Sequence, residues 1–540
     1  MRCKSAAPPL HASWAVPTNL TPRNGYIGPG VISLDGSPLS LDDLVAVARH
    51  GVAVEVTEAA RQRMAPARAL VERLDAEADP VYGVNTGFGA LADRAIPARE
   101  RGQLQRAVVR SHAAGMGPPL PAEVVRGMLL LRARSLTAGH SGVREELPEA
   151  ICALLNAGIT PWVPEHGSVG ASGDLAPLAH AAAALIGEGW VDDGRGGRRA
   201  AAGALAAAGI EPIVLGAREG LALINGTEGM CAILGLAVHD AEALLVALDC
   251  ACAMTVEALL GTPRAFDAEV VALRPAPGQQ ASAANLRALL QGSPIVASHR
   301  SSHHAVQDAY SLRCAPQVHG AARDVLGFCR ETVRREMASV VDNPVVLSGR
   351  GELFSAGNFH GQALAYAADL LASLAADTAA ISERRVNRLL DPARSRGLPA
   401  FLSREPGLNS GLMITQYTAA SCVTQLRQMA GPYAVQSLDT SAGQEDHVSM
   451  GFAAAVRSRR SLDLLRQVIA VEVVCAGQAL ELRAPLHPGP ATGALLGSLR
   501  RRVAHLDSDR LLAPDLEAAV EWLRDGEWRA AVESLAGALA

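Results

Sequence analysis

Apolar residues recur at three- and four-residue spacing along several long stretches in the second half of the chain. That spacing puts apolar side chains on one face of an α-helix. The pattern predicts long helices, and their alanine-rich faces favour close helix packing. We interpret residues 231–540 as an elongated helical bundle with further C-terminal helices. The helices are predicted over 236–260, 361–390, 411–430 and 449–483.

Before this bundle, from about residue 29 to residue 230, shorter apolar segments alternate with glycine-rich loops. Two such loops are YGVNTGFG at Tyr82–Gly89 and HGSVGASGD at His166–Asp174. Loops of this kind on a folded scaffold often carry binding or catalytic residues. We therefore predict a smaller N-terminal domain over 29–230, and a poorly ordered, proline-containing tail over 1–28.

Composition supports a mainly α fold. The chain is 49% hydrophobic but only 3% aromatic, so small aliphatic side chains of high helix propensity must build its core. A net charge of −5 without a basic tract argues against a nucleic-acid partner. No uncharged apolar run reaches the roughly 18 residues that span a bilayer, and the opening MRCKSAAPPL lacks a signal-peptide core. We expect a cytoplasmic protein with a small-molecule substrate and no membrane partner.

The scarcity of lysine excludes several chemistries. Lys4 is the only lysine, so a Walker-type phosphate loop and a pyridoxal-phosphate Schiff base have no plausible residue. The H-E-x-x-H pattern of zinc proteases is absent, and the adjacent His303 and His304 are poorly placed to hold one ion. We assign no metal. The nine cysteines lack C-x-x-C spacing, which is typical of buried, reduced thiols.

The segment Gly167–Asp174 has glycines on both sides of a small Ala171-Ser172-Gly173 core. Glycine permits a sharp bend, and Asp174 with Pro177 is a good start for a helix. Taken alone, such a stretch is more typical of a tight turn and helix cap than of a catalyst. The sequence around it favours a catalytic interpretation.

GSVGASGDLAPLAH resembles the signature of the aromatic amino acid ammonia-lyases and aminomutases, and the resemblance extends from about Tyr82 to Arg483. It is most similar to the branch that acts on histidine. The resemblance implies that Ala171, Ser172 and Gly173 cyclise and dehydrate to a methylidene-imidazolone, an electrophile that no standard side chain provides. The other matching motifs are YGVNTGFG, RSHAAGMG, LALINGT, VQDAYSLRCAPQV, DNPVV, GNFHG and QEDHVSMG.

The resemblance implies a carbon–nitrogen lyase that removes ammonia from an aromatic amino acid without oxidation. Histidine would give urocanate, the first step of histidine degradation. Attack on the electrophile by the substrate amine and attack by its ring both stay open. Tyr82 matches the family's active-site tyrosine and is our first choice for the β-proton base. An unperturbed phenol titrates near about 10, so this role requires positive charge nearby. A homotetramer with shared active sites is also implied.

Residues 307, 310 and 313 recur every three positions, so the pattern predicts that Gln307, Tyr310 and Arg313 project along one face of a helical turn. The resemblance implies that Arg313 binds the substrate carboxylate and that Asn225 assists it. The planar guanidinium of arginine can make two parallel hydrogen bonds to a carboxylate. Gln307 and Tyr310 would line the site and support proton transfer. Phe359 would pack against the electrophile or the substrate ring.

Two polar residues address substrate choice. His112 and Glu445 stand where a phenyl-binding pocket should be apolar, and a buried imidazole needs hydrogen-bond partners. Glu445 therefore favours histidine, whereas tyrosine-specific relatives also carry a histidine at the position of His112. Some histidine-specific relatives carry glutamine at the position of Glu228. If the Glu228 side chain faces the substrate, its negative charge affects binding of the substrate carboxylate. The alternatives are a tyrosine ammonia-lyase, an aromatic aminomutase and a non-catalytic helical scaffold.

Overall fold

The structure is a computed structural model that describes residues 30–76, 80–87, 94–301 and 306–540. These residues form twenty α-helices and eight short strands, which confirms the mainly α fold. The predicted tail over 1–28 lies outside the described residues, as do His303 and His304. The strands pair only two by two, so they are local features of a helical protein.

The first part of the chain contains the shorter elements. In chain order they are β1 (Val31–Leu34), α1 (Leu41–His50), β2 (Ala53–Val56), α2 (Glu58–Ala76), α3 (Arg101–His112), β3 (Met116–Pro119), α4 (Ala122–Thr137), α5 (Glu146–Asn156), β4 (Pro164–His166), α6 (Leu175–Leu185), β5 (Trp190–Asp192), β6 (Arg198–Ala200), α7 (Ala201–Ala207) and α8 (Glu219–Ile224).

The second part contains the long helices. It consists of α9 (Glu228–Ala258), α10 (Ala268–Ala272), α11 (Pro277–Leu289), α12 (Pro294–Ser298), α13 (Tyr310–Arg313), α14 (Ala315–Ala338), β7 (Val345–Leu347), β8 (Glu352–Phe354), α15 (Gln362–Leu390), α16 (Met413–Met429), α17 (Gly451–Glu481), α18 (Pro490–Arg500), α19 (Ala513–Asp525) and α20 (Glu527–Ala536). The four helices predicted from periodicity are α9, α15, α16 and α17. α9 begins eight residues before its predicted start, and the other ends differ from the prediction by two residues or fewer. The pattern did not single out α14.

The chain forms two compact units. The first contains the described residues up to Ile233 and two later segments, Arg334–Gln362 and Gln436–Ala453. The second contains Leu234–Val333, Ala363–Val435 and Ala454–Ala540. The domain division predicted from the sequence placed both later segments in the bundle, whereas the structure groups them with the first unit. They belong to the first unit because their contacts are with its loops, as described below.

The first unit positions two glycine-rich loops through its small core. Val84, two residues after Tyr82, is buried against α2 and against Val346 of β7. β3 pairs antiparallel with β4, and Met116 is the partner of His166, immediately before Gly167. Because apolar burial holds the base of the first loop and strand pairing holds that of the second, Tyr82 and Gly167 have defined positions.

The second unit is held together by long helices that share buried polar contacts. Asp249 of α9 accepts a hydrogen bond from His319 of α14, and Arg385 of α15 pairs with Glu472 of α17. Two helices, Glu228–Ala258 and Gln362–Leu390, are long and apolar enough to cross a membrane. In their most apolar windows, 78% and 67% of the residues are buried inside the protein, so both are core helices.

Candidate active site

The Ala171-Ser172-Gly173 segment is pressed against the turn that follows α8. Gly173 has φ of +80°, and a Cβ added there would lie 2.1 Å from the carbonyl oxygen of Gly226. The amide of Asp174 donates to that same oxygen at 2.7 Å. Ala171 and Gly173 are buried, whereas Ser172 is half-buried. Only glycine fits at 173, which suits a backbone that must cyclise through the nitrogen of this residue.

The other side of the loop is held by the segment just before α17. The hydroxyl of Ser449 donates to the carbonyl of Gly170 at 3.1 Å, and the amide of Met450 donates to that of Val169 at 2.9 Å. Gly170 has φ of +67°, and a Cβ there would lie 2.3 Å from the Ser449 oxygen. The loop is therefore fixed on two sides, and its close backbone contacts fit the compact ring that the resemblance implies.

Asp174 connects the loop to the start of α9 rather than capping its own helix, α6. One carboxylate oxygen accepts from the amide of Met230 at 2.7 Å, and the other from the hydroxyl of Ser168 at 2.9 Å. Complete burial raises the pKa of Asp174 to about 7, although both hydrogen bonds oppose the shift. Proton binding by Asp174 is therefore coupled to the position of the loop.

Tyr82 lies in a turn that requires glycine at the next position, Gly83. Gly83 has φ of +77°, and a Cβ there would lie 3.0 Å from Leu221 and 3.3 Å from Nη1 of Arg218. Burial lowers the pKa of Arg218, and a negative charge on the Tyr82 oxygen would oppose that shift. The half-buried phenol and the buried guanidinium are thus electrostatically coupled.

Arg218 belongs to a buried charge network beneath the INGT turn. Its Nη2 lies 3.1 Å from Oδ2 of Asp342, and Arg132 lies 3.7 Å from the same oxygen. Arg132 also donates to Glu228 at 2.9 Å and to the backbone oxygen of Asn225 at 2.8 Å. Burial raises the pKa of Glu228, which Arg132 opposes. The Glu228 carboxylate is therefore paired inside the protein.

Asn225 provides a buried polar atom that points to a ligand. The side chain is 2% exposed, and within the described ranges its Oδ1 has no hydrogen-bond partner. An unsatisfied buried amide oxygen costs about 1–3 kcal/mol, so native proteins usually give it a partner. A donor such as a substrate amine would satisfy this oxygen.

His112 and Glu445 interact electrostatically although they are far apart in sequence. His112 ends α3, and its Nδ1 lies 2.8 Å from the carbonyl oxygen of Val108. A carbonyl oxygen only accepts, so Nδ1 carries the proton and Nε2 can interact elsewhere. Burial lowers the pKa of His112, and the nearby Glu445 carboxylate opposes the shift. Thr440 donates to Oε2 of Glu445 at 3.0 Å and orients it.

The loop that carries Phe359 contacts the segment that carries Glu445. The rings of His360 and His447 stack at 5.9 Å with an interplanar angle of 6°, and His360 Nε2 lies 3.1 Å from the backbone oxygen of His447. Phe359 itself is half-buried. Its loop and the Glu445 segment therefore form a continuous polar and aromatic edge of the first unit.

The remaining three candidates belong to the second unit. The structure corrects the prediction that they share a helical face, because α13 begins at Tyr310 and Gln307 lies before it in an exposed bend. Tyr310 and Arg313 do meet, with the guanidinium carbon 4.6 Å from the ring centroid. Arg313 Nε donates to the backbone oxygen of Asp308 at 2.9 Å. Among the described residues, the two terminal amines of Arg313 have no hydrogen-bond partner.

Several residues of the site were not singled out from the sequence. Gly226 and Ser449 contact the loop that carries Ala171-Ser172-Gly173, and Arg218 lies near Gly83, the neighbour of Tyr82. Gly226 adjoins the quoted Asn225, and Ser449 lies in QEDHVSMG, so both motifs were noticed without these roles. Arg218 has no local sequence signal, because a buried arginine is identified only by the partners that surround it.

Sequence comparison shows which known proteins this chain resembles. The sequence model of the aromatic amino acid lyases matches residues 39–501. Histidine ammonia-lyase of Symbiobacterium thermophilum is 51% identical over 504 residues, which cover 93% of this chain and 99% of that protein.

Solved structures show the same similarity. The crystal structure of histidine ammonia-lyase from Trypanosoma cruzi has a TM-score of 0.87 and 38% identity, covering 94% of this chain and 95% of that one. Tyrosine aminomutase from Streptomyces globisporus has a TM-score of 0.88 and 37% identity, covering 93% and 98%. The helical scaffold is therefore common to lyases and aminomutases.

Proposed function

Because this chain belongs to the aromatic amino acid lyase family, we propose that it removes ammonia from L-histidine to give urocanate, the first step of histidine degradation. The choice of histidine depends on one observation above all, that His112 and the Glu445 carboxylate are near enough to interact electrostatically. A phenyl ring has no N–H to offer the Glu445 carboxylate and would displace water from it without replacing the lost hydrogen bonds, which costs binding free energy. An imidazole can donate to Glu445 and satisfy it.

The elimination requires an acceptor that makes the amine a leaving group. We infer that Ala171, Ser172 and Gly173 would supply it as a methylidene-imidazolone, an electrophile that no standard side chain provides. The support is the close packing of the loop at Gly173 and Gly170, where no side chain would fit. Gly226 and Ser449 hold the backbone in place, which limits the conformational entropy lost when the ring closes.

The chain's other residues have roles that follow from their chemistry. Tyr82 removes the β-proton, and Arg218 is the buried cation that its phenolate would face. Asn225 Oδ1 accepts from the substrate amine. Arg313 binds the substrate carboxylate with its terminal amines, beside Tyr310. We further propose a cytoplasmic homotetramer in which each active site takes residues from more than one chain.

Product analysis tests this proposal directly. Purified protein is incubated separately with L-histidine, L-tyrosine and L-phenylalanine, and the products are identified by mass and ultraviolet absorbance. We expect urocanate from histidine as the main product. A β-amino acid would indicate an aminomutase, and coumarate from tyrosine would indicate a tyrosine lyase; either would overturn the assignment.

Intact-mass measurement tests the electrophile separately. The active protein should be lighter than its sequence by two waters, and Ser172→Ala should keep the mass of an uncyclised chain. Ser172→Ala should also lose activity by at least on the order of a thousandfold, since only binding and positioning remain. An unmodified tripeptide in fully active protein would contradict the mechanism, and an inactive, unmodified wild type would favour a non-catalytic scaffold.

A further inference from the structure

The turn that carries Tyr310 and Arg313 is too short to hold its own conformation. α13 has four residues, and so short a helix is not stable alone in water. One external support is Asp308, whose carboxylate lies 2.9 Å from Nη2 of Arg396 and accepts the amide of Thr262 at 2.8 Å. These contacts fix Asp308, which precedes the turn and whose backbone oxygen accepts the hydrogen bond from Arg313 Nε.

A second support reaches the middle of the turn from the core. Nη1 of Arg385 donates to the backbone oxygen of Ser311 at 3.3 Å. Ser311 lies between Tyr310 and Arg313, so this contact acts on the peptide that sets the direction of both side chains. Arg385 is fully buried, and its own position therefore depends entirely on its partners.

Glu472 fixes the orientation of Arg385. Its two carboxylate oxygens accept from Nε at 2.5 Å and from Nη2 at 2.8 Å. Thr255 donates to the same carboxylate at 2.9 Å and Ser382 at 2.6 Å. A bidentate pair with further donors holds the guanidinium plane in one orientation, which a single contact would not do. Nη1 is consequently aimed at Ser311.

His319 supports the same guanidinium group from the other side. Its Nε2 lies 3.3 Å from Arg385 Nη1, and because arginine only donates, Nε2 must accept. The proton is then on Nδ1, which donates to Asp249 at 2.7 Å. Burial lowers the pKa of His319, in agreement with a neutral ring. Arg323 also donates to Asp249, at 2.7 Å.

We propose that Arg385, held by Glu472 and His319, is a positioning residue that sets the direction of Arg313 and thereby the binding of the substrate carboxylate. This inference rests on the proposed function, in which Arg313 binds that carboxylate. Arg385 acts through the Ser311 peptide and does not touch the substrate. Loss of the contact should let the turn rotate, and a displacement of about 1 Å is enough to weaken a positioned interaction by up to about a hundredfold.

The test compares two ligands that differ in the carboxylate. Imidazolepropionate carries the imidazole and the carboxylate, whereas histamine carries the imidazole and the amine without a carboxylate. Inhibition constants for both are measured on Arg385→Met/Glu472→Met, which replaces the buried ion pair with an apolar pair and leaves no unpaired charge. We expect binding of imidazolepropionate to weaken about tenfold or more, while histamine changes less than about threefold.

Arg500→Met/Glu481→Met is the matched control. It replaces another bidentate arginine–glutamate pair of the second unit, and among the described residues neither partner has a hydrogen bond to the turn. Its ratio of the two inhibition constants should equal that of the wild type. Equal weakening of both ligands in the double variant, or an unchanged ratio, would overturn the proposal.

Two further outcomes are distinguishable. If the double variant does not fold, Arg385→Lys with Glu472 intact gives the same comparison, because lysine keeps the charge but cannot span Glu472, His319 and Ser311 together. An unchanged ratio in a folded Arg385→Lys protein would then overturn the proposal. Failure of the wild type to convert histidine would contradict the proposed function instead, and equilibrium binding of both ligands would still measure the effect of Arg385.

Discussion

Gly173 and the backbone carbonyl of Gly226 are in direct contact, and the space between them excludes any side chain at position 173. A Cβ there would lie 2.1 Å from the carbonyl oxygen and 2.4 Å from its carbon. Because both partners of the contact are backbone, neither can move aside as a flexible side chain would. The contact links the Ala171-Ser172-Gly173 loop to the turn that carries Asn225.

Gly173→Ala should therefore prevent formation of the electrophile. The added methyl group must displace Gly226. The left-handed φ of +80° destabilises alanine at this position by a further ~1–2 kcal/mol. We expect the intact mass of an unmodified chain and at least about a thousandfold loss of activity.

Gly158→Ala is its control, because Gly158 has φ of +66° with nothing within 4 Å of the added Cβ. This variant should lose only about 1 kcal/mol of stability and keep the mass loss of two waters. A dehydrated, active Gly173→Ala protein would show that the contact is not what requires glycine.

Substitution of Glu445 should change substrate selectivity. Glu445→Gln keeps the shape but loses the charge, and Glu445→Leu also makes the pocket apolar. Histidine turnover should fall in both, by roughly tenfold to a hundredfold in kcat/KM, since a charged hydrogen bond is worth about 1.5–3 kcal/mol. Phenylalanine should be disfavoured less in the leucine variant. Measurement of kcat and KM for both substrates checks this.

If Glu445 transfers a proton instead, kcat falls in both variants while histidine binding hardly changes. Unchanged histidine kinetics in Glu445→Leu would remove Glu445 from the site and reopen the choice between histidine and tyrosine.

The ionisation of Asp174 should make stability depend on pH. Its pKa rises from 3.8 to about 7 in the folded protein, so the native state binds this proton more tightly than the unfolded chain does. The stabilisation is therefore complete below pH 3.8 and is lost as the pH rises towards about 7. Three pKa units correspond to about 4 kcal/mol.

Asp174→Asn removes this titration. Urea unfolding at a fixed protein concentration, across that pH window, should show that the stability advantage of the wild type over the variant decreases as the pH rises. Parallel pH profiles for the two proteins would indicate that Asp174 is ionised throughout and that its hydrogen bonds outweigh burial.

Shared active sites would be revealed by complementation. Tyr82→Phe and Arg313→Ala each inactivate a different part of the machinery, and the two residues belong to different units of the chain. If one site takes them from different chains, mixed oligomers contain some sites with both residues intact. We expect partial recovery of activity when the two inactive proteins are co-assembled. No recovery in demonstrated mixed oligomers would mean that one chain supplies both residues to each site.

Local sequence determined the elements and the reactive groups. Helical periodicity needs only neighbours three and four residues apart, so α9, α15, α16 and α17 could be predicted from it. The Ala171-Ser172-Gly173 core and the planar fork of Arg313 were also recognisable, because their chemistry depends on residue type and motif. The periodicity of Gln307, Tyr310 and Arg313 was misleading, since a spacing of three does not require a helix and α13 begins only at Tyr310.

Tertiary structure decided which of these groups meet. The segments with Phe359 and Glu445 lie among the bundle helices in sequence but belong to the first unit, together with His112 and the electrophile loop. Arg385 contacts Glu472 and His319, which come from helices far apart in the chain, so no local sequence pattern predicts these contacts. Contacts of this kind depend on burial and on hydrogen bonds between distant segments, which satisfy polar groups that the folded core removes from water.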